Sequence, residues 1–118
     1  MKKRRCLVIA DSFFEWQKTN GKKQPFRIML RDESLFAFAG IWDCWEKDGK
    51  VIQSCSIITT SPNELVKSIH DRMPVILPKD KEKKWLDDIS IDEVIGLLNP
   101  YQVKDMKAYA ISTLVSRS

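Results

Sequence analysis

One histidine, four glycines and three cysteines in 118 residues leave little room for several common chemistries. Cys6, Cys44 and Cys55 are odd in number and form no C-x-x-C pair, which argues against a disulfide framework and against a zinc site. The glycines never cluster, so there is no phosphate-cradling loop, and Ser12, Ser68 and Ser112 lack the setting of a nucleophile elbow. No apolar run approaches the roughly 20 residues of a membrane span. The N-terminus also lacks the apolar stretch of a secretory signal. These absences point to a cytoplasmic, reduced protein with no membrane partner, no cofactor and no metal.

What is present suits a single domain with a modest core. The hydrophobic fraction is 43%, the formal net charge is +4, and there are four tryptophans. A basic balance suggests an anionic partner, and tryptophan often serves both a core and a binding face. Two basic-looking blocks differ in character. "MKKRR" is purely cationic, whereas "KDKEKK" mixes signs and reads as the solvated start of a helix.

Along the chain, "RCLVIAD" (5–11), "FRIMLR" (26–31), "LFAFAGIW" (35–42) and "VIQSCSIITT" (51–60) read as strands. Asp48-Gly49 is a hairpin signal, Asn20-Gly21 and Pro25 mark a turn, and Gly40 a bulge or close approach. "SPNELVKSI" predicts a helix capped by Ser61 with Pro62 at its first position and Glu64 completing a capping box. "SIDEVIGLL" repeats the device with Ser90 and Glu93. "PKDKEKKWLDD" predicts a short helix turning Trp85 and Leu86 inward, and "AYAISTLVS" a closing strand. Strands, then helices, then a strand give an α+β fold with a mainly antiparallel, curved sheet. The first strand begins almost at Met1, so the sheet is expected to carry open edges.

Two places can carry chemistry. In "DSFFEW", Glu15 sits among Phe13, Phe14 and Trp16. Packed on aromatic surface it would lose hydration and titrate high enough to act as acid and then base; alternatively it faces solvent while the rings face inward. In "SIHDRMPVIL", His70, Asp71 and Arg72 precede a Met73–Pro74 step that stops a helix. Either they cap helix carbonyls and form a turn, or they present an imidazole and a guanidinium to a cleft.

Taken together, "RRCLVIADSFFEW", "FAFAGIW", "SIITTSPN" and "IHDRMPVIL" followed by "WL" resemble the SOS response-associated peptidase family, the abasic-site processing proteins. The resemblance runs through nearly the whole chain. It implies a barrel-like, mainly antiparallel α+β core with a basic cleft for single-stranded DNA containing abasic sites, and a nucleoid-associated location. In complete members a cysteine following the initiator methionine forms a thiazolidine crosslink with the opened abasic aldehyde. Carried onto this chain, Glu15 and His70 would be the catalytic acid/base residues, Arg72 would hold a DNA phosphate, and Trp16 would contact bases.

The chain departs from that pattern at position 2, where Lys2 stands in place of the cysteine. Cys6 cannot substitute, because ring closure needs an amine and a thiol on one residue. Ser12 stands where glycine is usual, Phe14 where tyrosine is usual and Ile9 where proline is usual. The expectation is a partial domain, 1–118, that does not crosslink alone. Three readings compete: the C-terminal part of a crosslinking protein, a non-enzymatic single-stranded DNA binder using the "MKKRR" arm, and a split product needing an N-terminal fragment or self-association. A Schiff base through the amines of Met1, Lys2 or Lys3 is a fourth possibility.

Overall fold

The structure, a computed structural model, describes residues 4–19 and 21–112. Among the described residues there are nine strands: β1 (Arg5–Ala10), β2 (Phe13–Thr19), β3 (Lys22–Leu30), β4 (Phe36–Lys47), β5 (Lys50–Ile57), β6 (Thr59–Thr60), β7 (Met73–Pro74), β8 (Ile76–Leu77) and β9 (Met106–Ala110). Three helices complete it: α1 (Glu64–Lys67), α2 (Lys79–Leu86) and α3 (Ile91–Gly96), with a 3-10 turn at Val103–Asp105. All strand pairings are antiparallel, and the α+β layout expected from the sequence is the one found.

β4 organises the first sheet. It pairs with β1 along one edge and with β8 and then β5 along the other. β2, β3 and β9 form a second sheet, and β6 with β7 a two-stranded ribbon. Because side chains alternate along a strand, each face of β4 feeds a different core. Phe36 and Phe38 face the second sheet and pack with Ile28, Leu30, Val66, Ile69, Met73 and Met106. Ala39, on the other face, packs with Val75, Leu77, Trp85, Val94 and Leu97 beneath α2 and α3. Gly40 is indeed a close approach: a Cβ there would lie 2.9 Å from Cys6 Sγ.

The hairpin at Asp48-Gly49 places both residues at positive φ, the conformation an Asp-Gly pair adopts most readily. Ser12 needs no such conformation, since among the described residues only Glu33 and Asp48 are non-glycine with positive φ. Ser90 and Glu93 form the expected capping box.

Several local expectations need correction. α1 is capped by Asn63, whose side chain accepts from Val66 N–H at 3.0 Å, so Ser61 and Pro62 lie outside the helix. Asn63 wins because the same side chain also donates to the Tyr101 carbonyl at 2.8 Å, a tertiary tie that Ser61 lacks. Leu86 is 51% exposed, and only Trp85 of that helix is buried. "FFEWQKT" is a strand, and the following strand runs through Pro25, where the Pro25 carbonyl accepts from Ile111 N–H at 3.0 Å and Gln24 Nε2 donates to the Ile111 carbonyl at 2.9 Å in place of the missing proline N–H. The closing strand is Met106–Ala110, and residues 113–116 of the expected one lie outside the described residues.

Two residues of the basic arm contact the fold. Arg4 lies over the Trp42 ring, 4.7 Å from its centroid. Arg5 donates to the carbonyls of Trp85 and Asp87, at 2.6 Å each. Both arginines are therefore engaged in the fold; Met1–Lys3 lie outside the described residues.

Candidate nucleic-acid cleft

β2 and the turn after α1 meet at the edge of the first core. Phe13 anchors one end, edge-on to Phe38 with 5.8 Å between ring centroids. Two residues on, Glu15 shares Phe13's face, while Phe14 and Trp16 point to the opposite, outer side, 53% and 37% exposed. Glu15 is thus half-buried, and it is the aromatics beside it in sequence that face outward. On the opposing wall, buried Val66 and Ile69 fix the short helix, and the Val66 carbonyl accepts from the backbone N–H groups of Ile69 and His70. Gln17 Nε2 donates to the Ser68 carbonyl at 2.6 Å and fastens β2 to that turn.

The result brings Glu15 and His70 together. Glu15 Oε2 lies 3.7 Å from His70 Nε2, with side chains 24% and 41% exposed. The far nitrogen, Nδ1, stands 3.3 Å from the Arg72 N–H and 3.2 Å from the Arg72 carbonyl. With Nδ1 accepting from Arg72 N–H, the ring proton sits on Nε2, facing Glu15. With Nδ1 donating to the Arg72 carbonyl, Nε2 becomes the acceptor instead. One turn therefore suits both tautomers, as a group that passes protons requires. Burial pushes the Glu15 carboxyl above the ordinary glutamate range; the His70 neighbour pulls the other way, and Asp71 pushes it further up.

The pair lines a cleft of about 980 Å³ whose walls include Trp16, Gln17, Pro62, Ser68 and Asp71. Lys18, Lys23 and Lys67 also line it. Lys18 is directly opposite Lys23 in the β2–β3 register, a like-charge pairing that an anion between them would relieve. These three lysines escaped sequence reasoning, because Lys18 and Lys23 become neighbours only through the β2–β3 pairing. Arg72 stands apart from the cleft's lining. Its guanidinium donates to the Thr59 carbonyl at 2.8 Å and to Thr59 Oγ1 at 3.0 and 3.3 Å, pinning the His70 turn onto β6.

The structure thus combines an antiparallel α+β fold with a carboxylate–imidazole pair in a lysine-lined cleft. The chain belongs to the SOS response associated peptidase (SRAP) family, whose model matches residues 1–118. It is 50% identical over 117 residues to the abasic site processing protein YoaM of Bacillus subtilis, covering 96% of this chain and 52% of that protein. It is 32% identical over 139 residues to the abasic site processing protein HMCES of Xenopus tropicalis, covering 99% of this chain and 41% of that one. A crystal structure of a Bacteroides thetaiotaomicron protein superimposes with a TM-score of 0.94 at 38% identity, over 98% of this chain and 53% of its own. A Bordetella bronchiseptica protein gives 0.84 at 27% identity, over 92% and 55%. The chain therefore spans about half the length of the relatives it matches. Among the described residues, no helix is long and apolar enough to cross a membrane.

Proposed function

We propose that the cleft binds single-stranded DNA at an abasic site, and that Glu15 and His70 move the protons of carbonyl chemistry at the opened aldehyde. The observation that carries this reading is the 3.7 Å approach of the two side chains inside a lysine-rimmed cleft. It accords with relatives that are named abasic site processing proteins. Schiff-base formation needs a proton delivered to the departing carbonyl oxygen and one removed from the attacking amine. A carboxyl that titrates above its usual range can do the first, and a neutral imidazole the second. Lys18, Lys23 and Lys67 supply phosphate contacts along the strand. Arg72 serves this reading indirectly, by fixing the turn that carries His70, and Trp16 offers an exposed ring for stacking at the cleft wall.

In this reading the chain supplies the acid–base half of a crosslinking site, and the terminal cysteine belongs to a segment corresponding to the other half of its relatives. The test is a denaturing gel of single-stranded DNA with one abasic site, incubated with this chain and the N-terminal half of a complete relative. A covalent adduct that disappears in Glu15→Gln and His70→Ala is expected. Association of the two halves without an adduct would contradict the reading.

A further inference from the structure

Two of the three cysteines meet in space although 49 residues separate them. Cys6 Sγ and Cys55 Sγ are 3.8 Å apart. Cys6 pairs with Gly40 on one edge of β4, and Cys55 with Trp42 on the other, so the thiols reach toward each other across the central strand. They meet over Gly40 because it carries no side chain: a Cβ there would stand 2.9 Å from Cys6 Sγ and 3.0 Å from a Val8 methyl. Cys55 is exposed and Cys6 half-buried, which leaves the pair open from one side.

This geometry disfavours a disulfide. Strands two places apart in a sheet put Cα atoms about 9.5 Å from one another. A disulfide spans at most about 7 Å without backbone movement. A bridging centre fits instead, since two sulfurs bound tetrahedrally at about 2.3 Å lie about 3.8 Å apart. We propose that Cys6 and Cys55 form a dithiol clamp over Gly40 that takes a soft, thiolate-seeking metal or metalloid centre, leaving its remaining coordination positions open to solvent. Soft sulfur donors select such centres over oxygen-seeking cations. Binding of such a centre displaces the thiol protons.

Phenylarsine oxide is the probe. Its arsenic forms two As–S bonds and gives up its oxygen, which leaves with the two thiol protons as one water; arsenic stays trivalent. The experiment is native mass spectrometry of the whole chain after incubation with the probe and a large excess of a monothiol, which strips singly held arsenic. A single monothiol-resistant adduct is expected on the wild type and on Cys44→Ser, removed by a competing dithiol. Cys6→Ser and Cys55→Ser should each drop the adduct to background. Gly40→Ala keeps both thiols but forces Cys6 aside, and should make the adduct sensitive to the monothiol. Circular dichroism checks that each variant is folded. A resistant adduct that survives Cys55→Ser, or one lost in Cys44→Ser, would overturn the proposal, as would no resistant adduct on folded wild type.

Discussion

Glu15 and Trp16 are adjacent in the chain yet face opposite sides of β2, and that alternation decides what each can do. Glu15 follows Phe13 toward the core edge, where lost hydration disfavours its charged form. A carboxyl raised in the folded state holds its proton more tightly than in the unfolded chain. Stability contributed by the protonated form is therefore present at low pH and declines as pH rises from the ordinary glutamate range through the raised value. Glu15→Gln should remove that decline. Denaturant melts of the two proteins across this interval should diverge, the wild type weakening relative to the variant; parallel curves would contradict the burial argument. The sequence showed that Glu15 had unusual neighbours, but the desolvation arises elsewhere. Phe14 and Trp16 are exposed, so the burial comes from the core edge and from the His70 turn, the latter more than 50 positions along the chain.

Short elements hold His70 in place, and α1 is the most economical of them. Four residues cannot form a stable helix alone, so its position rests on tertiary packing and on its cap. Asn63 both caps Val66 and donates to Tyr101. Asn63→Ala should cost about 1–2 kcal/mol in a urea melt, the usual range for a lost cap. It should also loosen the cleft wall that begins at Ser68. Ser90→Ala removes the cap of α3 and should cost about 1 kcal/mol, while leaving DNA binding unchanged, because α3 packs on the other face of β4. Equal effects of the two on binding would contradict the separation of the two cores. The capping box at Ser90 was legible because its partners are local, three residues apart. The cap at Asn63 was not, because Ser61 offers an equally good local pattern and the deciding bond reaches Tyr101, 38 positions away.

At the scale of the molecule, the strand content and the antiparallel class were legible from alternation and turn residues, while the division into two cores was not. That division follows from the alternation of side chains along β4, which sends Phe36 and Phe38 to one core and Ala39 to the other. The β2–β3 register and the Gln17–Ser68 tie to the turn after α1 carry Lys18, Lys23 and Lys67 to one cleft, which no linear charge pattern displays. Binding of single-stranded DNA should therefore depend on salt. Replacing all three lysines with glutamine should lower the slope of log affinity against log salt by about two, at roughly 0.7 per phosphate contact. An unchanged slope would place the phosphates elsewhere.

The most direct test of the central claim is fluorescence anisotropy with two single-stranded oligonucleotides that are identical except for one abasic site. Tighter binding of the abasic strand is expected, with that preference lost in the Glu15→Gln/His70→Ala double variant while affinity for the intact strand is retained. Equal affinity of the wild type for both strands, or a preference untouched by the double substitution, would contradict the account.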